Sequence, residues 1–438
     1  MRKVLMYSLL LVLGLIASQF TPAFFQTPVR LLTMLALSFI MIHVGFEFDI
    51  DRSQPRKYVW DYFVAFTAAA FPWVFCALYF VYVMSPRQVW GHPDLWKEVL
   101  LESRFASPTS AGVLFAMLAA AGLGATWVFR KARILAIFDD LDTILLMIPL
   151  KIMMVGMKWQ LLVIVLAIVL LLWIAWKYLN AWTLPVTWPW VLSYAAGITL
   201  ICEAIHLGSK QVDPLVPVHL EVLLPAFVLG CVLRGPQHVT EPSHLEPEGT
   251  EPGPEQPTEQ LVSTIVSAAF MVLVGLSMPP ILGAGAAEAA TADPHAVIKV
   301  LHYEGVPQEV LEAKNAFPGW GIIAVHVVLI TIISNIGKLF PAFCYRREAT
   351  WRERLAVAVG MFPRGEVGAG VLVISLSYGI GGPTLLVAIL SLALNLLLTG
   401  VFILIVKKLI AGAYPSEVPA AVSSPLVGHA GPVIRSER

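Results

Sequence analysis

Twelve blocks of apolar residues recur along the 438-residue chain, each roughly 17–25 residues long. A helix of that length crosses the ~30 Å hydrocarbon core of a membrane. Only 13% of the residues are charged, whereas a soluble chain carries about a quarter. The pattern predicts an all-α polytopic membrane protein of about twelve spans. The predicted spans are residues 4–20, 30–47, 58–84, 100–123, 133–156, 160–177, 187–205, 217–234, 261–282, 319–342, 353–379 and 382–406.

Positive charges in the connecting segments predict the orientation. With a cytoplasmic N-terminus, Lys and Arg favour that side roughly two to one, and the even number of spans brings the C-terminus to the same side. We expect a bacterial plasma-membrane protein with both termini in the cytoplasm. The net charge is zero, so the chain has no overall basic field that would favour a nucleic acid partner.

The hydropathy pattern divides the chain into four parts. We expect a first membrane half at 1–234 and a second at 261–410, followed by a short cytoplasmic tail at 411–438. Between the halves, residues 235–260 are rich in Pro and Glu and contain no Lys or Arg, which predicts a disordered cytoplasmic linker. A cation sensor is the alternative interpretation of this acidic segment.

Two further features indicate an inverted internal repeat. The segment Met41–Phe46 in span two resembles Met271–Leu276 in span nine, seven spans later, so the two copies cross the membrane in opposite directions. Spans four and eleven are also seven apart, and each is interrupted by a polar, proline-containing stretch, at 107–110 and 363–366. Paired interruptions in inverted halves are typical of a transporter's binding site.

Three carboxylates interrupt the apolar stretch of span five: Asp139, Asp140 and Asp142. Each ionised side chain at membrane depth costs ~2.5–3.5 kcal/mol, so such residues usually have a function. On a helix, Asp139 and Asp142 share nearly one face, whereas Asp140 points about 100° away. We predict that Asp139 and Asp140 bind a cation or a proton in alternation. Asp142 is predicted to belong to a supporting network.

Span four supplies candidate neutral ligands. Pro108 removes a backbone hydrogen bond and frees carbonyl oxygens, while Thr109 and Ser110 add hydroxyl groups. We predict that Thr109 and Ser110 contact the ion; the alternative is a kinked helix whose hydroxyls bond back to their own turn.

Charged residues elsewhere in the spans need partners. Arg364 and Glu366 lie in the interruption of span eleven, and Glu102 and Arg104 of span four are the candidate partners. In span ten, Lys338 lies near the end, where a lysine commonly reaches the interface, and Asn335 lies nearer the middle. We assign Arg364, Glu366, Lys338, Asn335 and Asp142 to a supporting charge network.

No resident metal or cofactor is expected. The four cysteines lack a CxxC spacing, which argues against a disulfide framework or a zinc site. We therefore expect no catalytic residues, no cofactor and no tightly bound metal.

Several of these segments resemble the monovalent cation/proton antiporter superfamily in its bacterial double-aspartate branch. They are Ser107–Val113, Ile137–Asp140, Gly360–Gly368 and the turn Val44–Asp49, and they occur in the family's order. The resemblance implies a homodimer with a dimerisation panel and a mobile core of spans three to five and ten to twelve. Spans four and eleven would unwind and cross near the midplane.

The resemblance also implies residue roles. Asp140 matches the family's ion-binding aspartate, and Asp139 matches the neighbour that often pairs with a lysine of span ten. When the sequence is aligned with the family on Pro341-Ala342, Asn335 lies close to the position of that lysine and Lys338 lies about one turn later. Either residue is therefore a candidate for the lysine position.

These observations predict a secondary antiporter, not an enzyme, with a role in pH homeostasis. It would exchange Na⁺ or Li⁺, with K⁺ as a further candidate, for protons by alternating access. The alternatives are a membrane-embedded Mg²⁺-dependent transferase that uses the Asp-rich motif, and a cation channel. The sequence leaves the preferred cation, the proton stoichiometry, the pH regulation and the direction of transport open.

Overall fold

A computed structural model of the chain describes residues 2–46, 55–213, 218, 220–233, 257–278 and 303–413. Every predicted span has a helical counterpart. The helices are α1 (Arg2–Ser18), α2 (Gln26–Phe46), α3 (Pro55–Tyr79, continued by a π turn at Phe80–Met84), α4 (Pro93–Glu102), α5 (Ala111–Ala120), α6 (Trp127–Val155), α7 (Trp159–Lys177), α8 (Trp188–Val212), α9 (Leu223–Val232), α10 (Pro257–Leu276), α11 (Gln308–Asn315), α12 (Trp320–Gly337), α13 (Phe340–Phe343), α14 (Trp351–Gly360), α15 (Glu366–Ser377) and α16 (Pro383–Ala413).

Seven of the described helices are long and apolar enough to cross a membrane on length and composition alone. Some of the remaining predicted spans are too short as single helices to cross a membrane. Spans four and eleven are each two short helices, α4 with α5 and α14 with α15, because polar stretches interrupt them. These are the two interrupted spans that the proline-containing motifs predict.

Two close helix crossings hold the scaffold together: α1 against α10, and α2 against α9. Each crossing has a glycine on both helices, Gly14 with Gly275 and Gly45 with Gly230. A Cβ atom added to any of the four would lie 2.2–2.4 Å from a backbone oxygen of the facing helix. Such small residues let helix backbones touch, which stabilises helix pairs in lipid.

The two crossings are related by the internal repeat. Helices α1 and α10 are spans one and nine, and α9 and α2 are spans eight and two, so a shift of seven spans converts one pair into the other. The repeat aligns Gly45 with Gly275, and each of these glycines makes the close contact in its own pair. The packing therefore supports the inverted repeat predicted from six similar residues.

We expect Gly230→Ala to destabilise the protein. Its Cβ would lie 2.3 Å from the Ile42 carbonyl oxygen, so α2 and α9 must separate, at a cost of roughly 1–3 kcal/mol. Thermal unfolding of the purified protein measures the effect. Gly197→Ala on α8 is the matched control, because its Cβ meets nothing within 4 Å. Equal melting temperatures for the two variants would contradict the close packing.

Span five begins earlier than the sequence predicts. Helix α6 starts at Trp127, capped by the Thr126 side chain, which accepts a hydrogen bond from the Phe129 N–H. Lys131, which we expected in a connecting segment, therefore lies in the helix, is 3% exposed and binds Asp61 of α3 at 3.0 Å. Lys131 joins α6 to α3, so counting it among the charges of a connecting loop was wrong.

Three sequence predictions fall largely outside the described residues. These are the disordered linker up to residue 256, the C-terminal tail from residue 414, and the acidic turn that follows span two at 47–49. The second half resumes with α10 at Pro257, four residues before the predicted start of span nine.

Candidate functional site

The two interrupted spans meet at their breaks. Residues 107–110 join α4 to α5 after a 3₁₀ turn at Ser103–Ala106, and residues 361–365 join α14 to α15. The Ser110 N–H donates to the Pro363 carbonyl oxygen at 2.9 Å. A backbone hydrogen bond between two unwound segments is tolerated in a membrane protein where the segments lie inside the protein.

Asp139 of α6 is bound at this crossing. Its Oδ2 accepts from the Thr109 N–H at 2.7 Å and from the Lys338 Nζ at 2.8 Å. Lys338 also donates to the Thr109 hydroxyl at 3.1 Å, and that hydroxyl donates to the Met361 carbonyl at 3.0 Å. Asp139, Lys338 and Thr109 are all fully buried, so this is a closed salt bridge between α6 and the end of α12.

Asp140, the next residue, has a different environment. It is 4% exposed, and within the described residues neither carboxylate oxygen has a hydrogen-bond partner. Asp139, Glu366 and Glu221 place negative charge around it, and Lys338 places positive charge. A buried carboxylate among like charges needs a proton or a cation. Asp140 is therefore the open position of the site.

Ser110 is directed to Glu366 rather than to an aspartate. Its hydroxyl donates to Glu366 Oε2 at 2.7 Å. Glu366 is the first residue of α15, where the helix dipole stabilises a carboxylate. The break of span four thus brings Thr109 to Asp139 and Ser110 to Glu366. Their roles in ion binding stay predictions.

Arg364 is fully buried and bonds to neutral oxygens. Its guanidinium donates to the carbonyls of Ala106 at 2.9 Å and Ser334 at 3.0 Å, and to Asn335 Oδ1 at 2.8 Å. The carbonyls of helix ends lack intrahelical donors and carry partial negative charge, so they can hold a cation. Arg364 therefore ties the break of span four to α12.

The expected partners from span four are wrong. Arg104 donates to the Asp142 carbonyl at 3.0 Å and to the Ser107 hydroxyl at 2.7 Å, not to Glu366. Glu102 makes no hydrogen bond to Arg364. Carbonyl oxygens of Ala106 at the span-four break, of Asp142 in α6 and of Ser334 in α12 accept from the two arginines in place of carboxylates.

Lys338 also departs from expectation. We expected a lysine at the end of a span to reach the interface, but Lys338 is fully buried. It follows Gly337, whose missing side chain lets α12 touch α3 with no room for a Cβ. Asn335 is used by Arg364. Lys338, and not Asn335, is therefore the span-ten residue that meets Asp139.

Glu221 is a site neighbour that sequence reasoning missed. The residues on either side of it, Val218 and Leu224, pack in one apolar cluster with Leu141 of α6. Its charge acts on Asp140 and on Glu366. Glu221 is the single acidic residue of predicted span eight, and that position within an apolar span was the signal available.

A family model described as "Sodium/hydrogen exchanger, transmembrane" matches residues 2–408. Among solved structures, the chain is similar to the sodium proton antiporter MjNhaP1 from Methanocaldococcus jannaschii, with 13% sequence identity and a TM-score of 0.44. The match covers 93% of this chain and 90% of that one. No curated protein sequence matches this chain.

Proposed function

The chain belongs to the sodium/hydrogen exchanger family, and on that premise we propose that it exchanges Na⁺ or Li⁺, with K⁺ as a further candidate, for protons by alternating access. One observation carries the proposal: Asp140 is buried without a hydrogen-bond partner among the described residues, beside the Lys338–Asp139 salt bridge. Members of this family are secondary transporters, so the transferase alternative loses its support.

The chemistry follows from competition for two carboxylates. In the proton-loaded state, Asp140 carries a proton and Lys338 neutralises Asp139. An alkali cation that enters would bind the ionised Asp140 and Asp139, and the displaced Lys338 would then release its own proton, so two protons leave for one cation. Displacement of Lys338 also frees a lone pair on the Thr109 hydroxyl, which otherwise accepts from the ammonium. Hard oxygen ligands of this kind suit Na⁺ and Li⁺.

Movement of the mobile core, spans three to five and ten to twelve, against the dimerisation panel would expose Asp140 to each side of the membrane in turn. Beside Asp140, α6 meets α7 and α9 through apolar side chains, among them Leu141, Ile164 and Leu224. An apolar contact can slide without breaking hydrogen bonds. We also propose that the panel forms a homodimer and that both termini face the cytoplasm. Crosslinking of introduced surface cysteines and labelling from each side of the membrane test these two points.

Proteoliposomes test the exchange itself. We expect added Na⁺ or Li⁺ to dequench a fluorescent pH dye with saturation, and each ion to inhibit at high concentration of the other. One pH unit supplies 1.36 kcal/mol per proton, enough for a tenfold cation gradient. With the potential clamped, the series Na⁺, Li⁺ and K⁺ gives the preference. Unsaturable cation flux without proton movement would identify a channel instead.

We expect Glu221→Gln to weaken the apparent affinity for the cation several-fold. Glu221 adds negative potential at Asp140 and Glu366, which attracts a cation to the site. The effect should be larger at low salt, because salt screens charges that solvent can reach. Glu304→Gln, at an exposed acid, is the control. An unchanged half-saturation concentration at low salt would remove Glu221 from the cation path.

A further inference from the structure

A second group of buried charges lies at the end of the bundle opposite the two termini, by the count of spans. Helix α4 carries Glu98 and, one turn later, Glu102. Glu98 Oε1 is 2.6 Å from the Lys314 Nζ, and Glu98 Oε2 accepts from the Tyr303 hydroxyl. Glu98 is 3% exposed and Lys314 is 9% exposed. The segment 303–315, which includes α11, is thereby fastened to α4.

Glu102 lies beneath this segment and is fully buried. Neither of its carboxylate oxygens has a hydrogen-bond partner in the described part of the chain. Lys314 and the Thr384 hydroxyl of α16 act on it favourably, whereas Glu98 repels it. Glu102 is also the last residue of α4, and the C-terminal end of a helix disfavours a negative charge.

The local charges do not balance. Glu98 and Glu102 bring two carboxylates, and Lys314 brings one ammonium that is bonded to Glu98. Of the other charges nearby, Asp94 pairs with Lys97 at 2.7 Å, and the guanidinium of Arg104 is engaged with Ser107 and the Asp142 carbonyl. A fully buried carboxylate without a counter-charge is strongly unfavourable, so one more positive charge is required.

We propose that Glu102 and Glu98 form a second site for a monovalent cation, either a proton or an alkali metal ion, separate from Asp139 and Asp140. The hydroxyls of Thr384 and Tyr303 are its neutral ligands, and Lys314 is its built-in competitor. A cation bound at Glu102 supplies the missing positive charge, repels the Lys314 ammonium and so weakens the attachment of segment 303–315 to α4. The cation concentration on the side of the membrane opposite the termini would thus control how firmly segment 303–315 is attached to α4.

The test uses the full chain carrying Asp140→Asn, which separates this site from the transport site and from transport activity. We expect Na⁺ or Li⁺ to raise the melting temperature of this variant with saturation, and Glu102→Gln to abolish the rise. Glu309→Gln, at an exposed acid of α11, should leave it unchanged. Lys314→Met should lower the half-saturating cation concentration at least tenfold, because the competing ammonium is gone.

Infrared spectroscopy of the same variants distinguishes the two sources of charge. A carboxylic acid C=O band that is absent in Glu102→Gln and unaffected by Na⁺ identifies a proton as the occupant, and the melting temperature should then depend on pH instead of on Na⁺ or Li⁺. A band that Na⁺ removes identifies an exchangeable alkali ion. The proposal is overturned if Glu102→Gln changes neither the band nor the cation dependence, and if Lys314→Met does not shift the half-saturating concentration.

Discussion

Asp140→Asn is expected to abolish cation-driven proton movement in proteoliposomes, with a residual rate at or below about one hundredth of the wild-type rate. The amide cannot ionise, so it carries no proton into the cycle and offers no charge to a cation. Loss of one buried charged ligand costs about 3 kcal/mol, which corresponds to roughly a hundredfold in affinity. The measurement is the initial rate of pH-dye dequenching on addition of Na⁺.

The fold should survive this substitution. Within the described residues the Asp140 carboxylate accepts no hydrogen bond, and asparagine has nearly the same shape. We therefore expect an unchanged or higher melting temperature, because a buried charge is removed. Glu304→Gln, which converts an exposed acid into its amide in the same way, is the matched control. Normal exchange by Asp140→Asn would refute the assigned site.

The sequence was sufficient for the spans and their interruptions, because these depend on local signals. Apolar blocks fix which residues can enter lipid, and prolines such as Pro108 and Pro363 remove helix hydrogen bonds wherever they fall. The sequence also predicted the inverted repeat. Gly45 and Gly275 occupy equivalent positions in the two copies, because at each one the backbone of a neighbouring helix leaves no room for a side chain. These features require no knowledge of distant contacts.

Local patterns did not predict the pairings between distant segments, and the pairing of Asp139 with a span-ten lysine was expected only from the family resemblance. Lys338 reaches Asp139 because the contact of Gly337 with α3 brings the end of α12 inside the bundle, and no local pattern encodes that contact. Arg364 illustrates the same limit: we expected a carboxylate, but its guanidinium donates to the Ala106 carbonyl at the span-four break and to the Ser334 carbonyl near the end of α12, which only the folded chain brings to it. Glu221 approaches Asp140 only through the packing of the start of α9 on α6.

Lys338→Gln is expected to make the exchange insensitive to membrane potential. In the cycle proposed above, cation entry displaces a proton from Asp140 and one from Lys338, so two protons move against one cation and one net charge crosses. The glutamine amide can still donate hydrogen bonds to Thr109 and Asp139, but it cannot release a proton. Asp139 then loses its buried counter-charge, whose removal costs about 3–5 kcal/mol. We expect Asp139 to keep a proton throughout the cycle, which leaves one proton per cation.

The two stoichiometries differ measurably. At equal pH on both sides, a potential of 100 mV supplies about 2.3 kcal/mol per net charge, which supports roughly a fiftyfold cation ratio across the wild-type membrane. The Lys338→Gln variant should support none under that condition, yet it should still exchange Na⁺ for protons down a pH gradient. Lys338→Arg, which keeps a positive charge that is not released at neutral pH, should also lose the response to potential. A variant that stays active and still follows the potential would show that the second proton is carried elsewhere, and Asp139 itself would then be the residue to examine.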